Sequence, residues 1–169
     1  MLISELSVEH LARHWNSVGV ERLQHSCQTM APGSEFAHIM AHLGLPQQQW
    51  WPFRFSAPPV LHETLVTFGD LGPGWPLQVQ VADGRCLLSS STGLSYYANR
   101  SFLAFCQSLV LFDRSYRRHL AECPGDTGDD WARGDLILAT LESDLRTIDP
   151  AAFTDEQYLW PYLLVDLNG

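Results

Sequence analysis

The sequence predicts one α+β domain over residues 1–169, with a central, mostly antiparallel sheet flanked by N-terminal and C-terminal helices. Apolar residues recur with helical spacing at both ends of the chain, whereas the middle contains short alternating segments separated by turns. The order helices, strands, helices is typical of α+β folds and not of doubly wound parallel sheets. A chain of 169 residues is long enough for a sizeable core.

Two N-terminal segments have the spacing of amphipathic helices. In the first, apolar residues share one face over residues 8–18, and Ser7 precedes them as a candidate N-cap. The second follows the turn at Pro32 and Gly33, and it ends before Gly44. These two helices are expected to pack against the sheet that follows.

The middle of the chain predicts a small antiparallel meander. Residues 65–68 form a short apolar segment, and residues 77–81 alternate apolar with glutamine, the pattern of a half-buried strand. The dipeptide Asp83 and Gly84 is a strong hairpin signal, so residues 85–89 are expected to return beside that strand. A further turn leads into a last strand over residues 94–98.

The last third predicts helices. Asn99 or Ser101 can cap a helix over residues 102–120, in which Asp113 falls inside the apolar stripe and would need a partner such as an arginine if buried. After a loop over residues 123–130, a second helix has its apolar residues on one side up to residue 148. Thr154 and Gln157 resemble a capping box for a closing helix, which Pro161 should kink or delay.

The charge balance bears on the class of partner. Ten arginines, no lysine and 19 acids give a net charge of −9, which disfavours nucleic-acid binding and favours a basic partner. No segment is apolar enough to span a membrane, and residues 1–9 lack a basic signal-peptide start. Four isolated cysteines are typical of reduced thiols, so a cytoplasmic location is expected: Cys27, Cys86, Cys106 and Cys123.

Two pairs of histidines have the spacing of one helical turn, His10 with His14 and His38 with His42. Such a pair could ligate a metal, but the glutamate of the zinc-protease pattern is missing. Solvated surface histidines are the favoured interpretation, with a shared four-histidine site as the alternative. No metal and no cofactor are therefore predicted.

Catalytic signatures are weak. The serines at residues 89–91 lack a nucleophile elbow, and the glycines at residues 69–74 match neither a P-loop nor a dinucleotide fingerprint. A polar strand end and a loop are the favoured interpretations. Acid pairs such as Asp129 with Asp130 are interpreted as surface charge, so the chain is not expected to be an enzyme.

Three stretches resemble the SUKH superfamily of bacterial immunity proteins, and most closely its fourth, actinobacterial group. The first is LQVQVADGRCLLSSSTGLSYYANRSFLAFCQSLVLF over residues 77–112, with a hairpin, a TG turn and an Asn and Ser before a helix. The second is LRTIDPAAF over residues 145–153, and the third is YLWPYLLVDLNG over residues 158–169. The three occur in the family's order.

This resemblance implies a SUKH-like α+β domain without catalytic residues. It also implies a cytosolic immunity protein that binds a cognate polymorphic toxin domain, such as a nuclease or deaminase, and blocks its active site. The net charge of −9 suits a basic toxin. Candidate contact residues are acids at turns and loops and two possible tryptophan anchors: Glu63, Asp70, Asp83, Asp126, Asp129, Asp130, Trp51 and Trp75.

Two alternatives remain open at this level. A regulatory or ligand-sensing domain of the same fold would need a well-formed apolar pocket. A hydrolase, the less favoured alternative, would need a polar pocket with converging titratable groups.

Overall fold

The computed structural model describes residues 7–17, 21–23, 31–47, 52–125 and 127–168, in which helices flank a central antiparallel sheet. The helices are α1 (Val8–Ser17), α2 (Glu35–His42), α3 (Phe102–Glu122), α4 (Gly128–Ile148) and α5 (Leu159–Asn168), and a 3₁₀ turn spans Pro150–Phe153. The strands are β1 (Arg22–Leu23), β2 (Leu45–Pro46), β3 (Arg54–His62), β4 (Leu65–Asp70), β5 (Pro76–Gln80), β6 (Cys86–Ser89) and β7 (Ser95–Asn99). The α+β prediction is confirmed.

Strands β3 to β7 form one antiparallel meander in chain order, and β1 pairs with β2 separately. Val66 of β4 lies opposite Val79 of β5, which lies opposite Cys86 of β6. All three side chains are buried, because alternate residues of each strand point to the core. The period-2 alternation in the sequence therefore predicted the buried face correctly.

The other face of the meander carries a row of polar side chains. Gln78 donates from Nε2 to Thr67 Oγ1 (3.1 Å), and it accepts at Oε1 from Ser89 Oγ (2.7 Å). Ser95 Oγ lies 3.2 Å from Ser89 Oγ. These cross-strand bonds fix the register of four strands, and they account for Ser89 as the polar strand end that the sequence predicts.

Strand β3 lies at one edge of the meander and is longer than anything the sequence indicated there. It contains two consecutive prolines, Pro58 and Pro59, and its pairing with β4 shifts in register between Phe55 and Val60. Proline is confined to edge strands and bulges because it cannot donate to the ladder. The prolines concealed this strand at the level of sequence.

The long helix α3 fills the centre of the core. Its Phe105 ring lies 5.3 Å from the ring of Phe68 on the sheet and 6.0 Å from that of Trp160 on α5. Trp160 donates from Nε1 to Asn99 Oδ1 (2.8 Å), so its one polar atom is satisfied inside the core. One buried aromatic cluster thus joins the sheet, α3 and α5.

Helix starts follow local capping chemistry at three places. Ser34, Ser101 and Thr127 each accept a backbone N–H with the side-chain oxygen at the start of α2, α3 and α4. Because Ser101 caps α3, this helix begins at Phe102, as the sequence predicted. The predicted loop over residues 123–130 is shorter, because Thr127 already caps α4.

The start of α5 differs from the prediction. Thr154 does not begin a capping box, since its Oγ1 donates to Ala151 O (3.0 Å) at the end of the 3₁₀ turn. Asp155 Oδ1 accepts from Gln157 N (2.8 Å) in the following turn, and α5 begins at Leu159. The late start agrees with the effect expected of Pro161.

Helices α3 and α4 have 21 residues each and pack on one another. A side chain at Gly134 of α4 would place its Cβ 3.0 Å from His119 Cε1 of α3, so glycine permits this close approach. Both helices carry charges along their exposed sides. No helix in the described ranges is long and apolar enough to cross a membrane.

Candidate functional site

Two predicted contact residues lie at one end of the meander. Glu63 occupies the β3–β4 turn with φ of +52°, and Asp83 lies in the β5–β6 turn. Val81 N donates to Thr64 O (2.9 Å), which holds the two turns side by side. Asp83 is already paired with Arg85, whose Nε lies 2.6 Å from Asp83 Oδ2.

Asp70 and Trp75 lie at the opposite end of the meander. Asp70 is the last residue of β4, and Trp75 lies in the β4–β5 loop. Asp70 Oδ1 accepts from Arg54 Nε (2.8 Å) and from Gly72 N (2.9 Å), so this carboxylate shapes the loop. Trp75 is 40 % exposed, and its ring lies 5.9 Å from that of Tyr96. The loop therefore presents an aromatic side chain and uses its acid internally.

Asp129 and Asp130 lie in the first turn of α4, where a carboxylate interacts favourably with the helix dipole. Asp130 Oδ2 also accepts from Thr127 Oγ1 (2.5 Å). Trp51 and Asp126 lie outside the described residues. The six predicted contact residues that are described thus fall in three separate places and do not form one patch.

The histidine pairs differ from each other. His38 and His42 are exposed, with rings 4.3 Å apart, as a surface pair should be. The His14 side chain is only 8 % exposed instead, and its Nε2 lies 3.1 Å from Asp113 Oδ2, so the prediction of a surface residue is wrong there. Within the described ranges, no three His, Cys, Asp or Glu side chains are grouped as metal ligands would be.

Asp113 explains the burial of His14. The carboxylate is 2 % exposed, and it accepts from Arg117 Nε at 2.9 Å one helical turn away. Arg114 Nε also donates to His14 Nδ1 (3.3 Å), so α1 is tied to α3 by a charged network. The sequence anticipated an arginine partner for Asp113, but a histidine from α1 had no local signal.

The acidic charge is unevenly distributed. Residues 127–168 hold nine acids against two arginines, a local charge of −7 out of −9 for the chain. Elsewhere, arginines neutralise acids in ion pairs: Arg54 with Asp70, Arg85 with Asp83, Arg117 with Asp113, and Arg118 with Glu122. The uncompensated charge therefore belongs to α4, α5 and the segment between them.

Eight of the nine acids of this C-terminal region form no ion pair within the described part of the chain: Asp129, Asp130, Asp135, Asp144, Asp149, Asp155, Glu156 and Asp166. By contrast, Glu142 pairs with Arg146, whose guanidinium also lies 4.5 Å from the centre of the Phe153 ring. A surface with unpaired acids attracts and orients a basic partner.

An aromatic groove of about 760 Å³ borders this acidic region. One wall is the β4–β5 loop with Leu71 and Trp75, backed by Tyr96, and the other wall is α5 with Tyr162 and Val165. Tyr162 is 55 % exposed and Val165 is 74 % exposed. Glu156 and Asp166 are among its other lining residues, and we call this site the aromatic groove.

A second groove of about 550 Å³ adjoins the first, between α4 and α5. Glu156 and Val165 line both grooves. The second groove is lined by Asp135 and Glu142 as well as by Leu138. The exposed side of α5 is thus a ridge with an apolar, acid-rimmed depression on each flank.

The loop that carries Glu156 is held by a buried carboxylate. Asp149 is 1 % exposed, and its Oδ2 accepts from Arg100 N (2.6 Å) and from Tyr97 OH (3.0 Å). Burial, and then the hydrogen bond to Asp149, raise the pKa of Tyr97 above its usual range. The Tyr97 ring also lies 5.5 Å from that of Tyr158, so the segment before α5 is fixed to the sheet.

In comparisons with known proteins, no family model, curated protein or solved structure matches the chain. The SUKH resemblance therefore stays a prediction from the sequence motifs.

Of the six predicted contact residues that the structure describes, only Trp75 lines the aromatic groove. Tyr162, Val165, Glu156 and Asp166 were not singled out in the sequence. A charge count by segment would have drawn attention to residues 127–168. No sequence signal, however, brings the β4–β5 loop beside α5, because that contact depends on the tertiary packing.

Proposed function

We propose that this chain is an immunity protein that binds a basic toxin domain through the aromatic groove and the acids around it. The observation that supports this proposal is that exposed aromatic and apolar side chains lie beside the unpaired acids of residues 127–168. Protein interfaces combine such anchors with a polar rim. The SUKH resemblance supports the same role, in which the bound protein blocks the active site of the toxin.

The acidic surface suits a toxin that acts on nucleic acid. Such an enzyme needs positive charge where it binds phosphates, and an acidic protein can occupy the same surface. The complementary fields would speed association and make its rate fall with added salt. The chain itself needs no catalytic group for this role.

Where a secreted toxin is encoded directly upstream, the direct test measures binding to the C-terminal domain of that toxin. Surface plasmon resonance should give a 1:1 complex with a submicromolar Kd, and the toxin should lose its activity in stoichiometric mixtures. Absence of binding at micromolar concentrations would contradict the proposal.

The groove is assigned by two variants with the same change of charge. Glu156→Gln with Asp166→Asn removes two acids beside the groove, and Glu63→Gln with Asp83→Asn removes two at the opposite end of the meander. We expect the first pair to lower the association rate by about threefold to tenfold and to flatten its salt dependence. The second pair should have little effect, and the reverse result would relocate the interface to the turns.

A second candidate function, a ligand-sensing domain, is favoured by one observation. The groove volume of about 760 Å³ falls within the range typical of small-molecule sites. A thermal-shift screen with small apolar and cationic compounds tests it. A compound that raises Tm and displaces no toxin would favour sensing over immunity.

A further inference from the structure

The aromatic groove has an unusual combination of lining groups. Trp75, Tyr96 and Tyr162 present aromatic rings, and Glu156 and Asp166 present carboxylates. Among the described residues of its lining there is no arginine or histidine. Aromatic faces and carboxylates both attract cations, whereas either alone would be compatible with neutral ligands.

The aromatic wall is held rigidly before any partner arrives. Leu71 N donates to Trp75 O (3.0 Å), and Trp75 N donates to Gly72 O (3.1 Å), which closes the β4–β5 loop on itself. Ser91 N donates to Gly74 O (2.9 Å) and fixes this loop to the next turn of the meander. A preorganised wall loses little conformational entropy on binding.

The carboxylates come from the other side of the groove. Glu156 precedes α5 in the segment anchored by Tyr97 and Asp149, and Asp166 lies one helical turn after Tyr162. Neither acid forms an ion pair within the described ranges. They are therefore available to a cation that enters between the two walls.

Among protein side chains, arginine matches this lining best. Its planar guanidinium stacks on aromatic rings and donates to carboxylates in the same plane, while its methylene stem packs on apolar groups. Lysine offers a compact, strongly hydrated charge without a planar face. Exposed Val165 and half-buried Leu71 beside the rings suit apolar neighbours of the cation.

We infer that the aromatic groove receives an arginine side chain of the partner protein, flanked by apolar residues. This inference rests on the proposed function and names the anchor that the toxin contributes. The guanidinium stacks on the Trp75 and Tyr96 wall and donates to Glu156 or Asp166. The arginine would otherwise bind nucleic acid in the toxin, so its capture couples binding to inhibition.

The test uses the full chain and three short blocked peptides, Leu-Arg-Leu, Leu-Lys-Leu and Leu-Gln-Leu. Titration is followed by the indole N–H signal of Trp75, assigned with the Trp75→Phe variant. We expect the arginine peptide to shift this signal and to bind about tenfold more tightly than the lysine peptide. The glutamine peptide should leave the signal unchanged.

Two variants test the aromatic ring of Trp75 and the two carboxylates separately. Trp75→Leu keeps an apolar side chain without the aromatic face. Because the Trp75 signal is lost in this variant, its binding is measured by isothermal titration calorimetry, alongside wild type, and the preference for arginine over lysine should disappear. Glu156→Gln with Asp166→Asn should weaken arginine binding about tenfold, whereas Glu63→Gln with Asp83→Asn should not. Equal binding of the arginine and glutamine peptides, or an unchanged preference in Trp75→Leu, would overturn the inference.

The same variants distinguish this inference from the proposed function. If the toxin binds wild type and Trp75→Leu equally and no peptide binds, the arginine anchor is wrong and the immunity role stands. If the arginine peptide binds at Trp75 while the toxin domain does not bind, the immunity role is wrong and the cation site stands.

Discussion

Asp113 and His14 connect two helices through a buried charge. A carboxylate out of contact with water is stable only when its partners compensate for lost hydration, and here a histidine and an arginine do so. The arginine side is half exposed, so the buried contact with His14 is the more specific of the two. The pair therefore fixes the position of α1 on α3.

Removing the carboxylate at this position should be costly. Asp113→Ala leaves His14 and Arg117 without their acceptor, and we expect a loss of about 3 kcal/mol in the free energy of unfolding. Urea unfolding followed by circular dichroism measures it. Asp135→Ala, at an exposed position inside α4, is the matched control and should change stability by less than about 0.5 kcal/mol. Equal effects would mean that Asp113 is solvated.

Two thiols and one phenol should make the folded protein less stable at alkaline pH. Burial raises the pKa of Cys86 and Cys106, and burial together with Asp149 raises that of Tyr97. These groups keep their protons when folded and lose them when unfolded, above about pH 8.5 for the thiols and about pH 10 for the phenol. Stability is therefore complete below these values and falls as the pH rises.

We expect each buried thiol to add up to about 1.4 kcal/mol per pH unit to this decline. Urea unfolding between pH 7 and pH 10.5 measures the slope, and Cys106→Ala should make it shallower by removing one linked proton. A stability that is flat to pH 10.5 would contradict the burial of both thiols.

At the scale of elements, β3 depends on one glycine of its neighbour. A Cβ on Gly69 would lie 2.5 Å from Arg54 O, closer than real contacts allow. Glycine is required there because the two backbones approach each other where the strand registers shift. The loop with Trp75 begins two residues later, so this contact also positions the groove wall.

Gly69→Ala should therefore separate β3 from β4. We expect a loss of about 2 kcal/mol in the free energy of unfolding, from overpacking against the backbone. Differential scanning calorimetry measures it. Gly128→Ala is the control, because a Cβ there meets no atom within 4 Å in the first turn of α4. An unchanged free energy of unfolding in Gly69→Ala would mean that β3 moves away from the added Cβ without loss of stability.

The elements also show what the sequence could predict. Period-2 alternation and the Asp83 and Gly84 turn located β5 and β6. The turn at Pro32 and Gly33 placed the start of α2, and Asn99 or Ser101 placed that of α3. These signals are local, so they survive without tertiary information. Strand β3 was missed because Pro58 and Pro59 argue against a strand, and only pairing with β4 overrides them. The capping box at Thr154 was wrong because the 3₁₀ turn uses that hydroxyl.

The candidate site was less predictable than the fold. Trp75 was selected by residue type and loop context, but its neighbours in the groove come from α5, more than 80 residues away. The acids at turns were selected one by one from the sequence. In the structure, Asp70 and Asp83 form ion pairs with nearby arginines. Ion pairs of this kind depend on strand register, which the sequence specifies only in part.

At the scale of the whole molecule, the net negative charge is concentrated in the C-terminal part of the chain. Residues 127–168 carry a charge of −7, while arginines balance most acids of the preceding part. Clustered like charges repel one another, and screening by salt reduces that repulsion. The acidic region therefore lowers stability slightly while it favours encounters with a basic partner.

Salt should stabilise the isolated protein. Raising the ionic strength from about 0.01 M to about 0.15 M shortens the Debye length from about 30 Å to about 8 Å, and we expect Tm to rise by a few degrees. Differential scanning fluorimetry measures it. The variant Glu156→Gln with Asp166→Asn should show a smaller rise. A Tm that falls with salt would mean that the ion pairs outweigh the repulsion.

The two borders of the meander have a consequence for storage at high concentration. At one border, the 3₁₀ turn after Asp149 contacts β7, and at the other, Pro58 and Pro59 remove two backbone donors from β3. A second chain that approaches with its own strand finds no continuous ladder to extend. We expect concentrated solutions to resist fibril growth by strand addition. Association with other molecules is then left to the helical side of the protein.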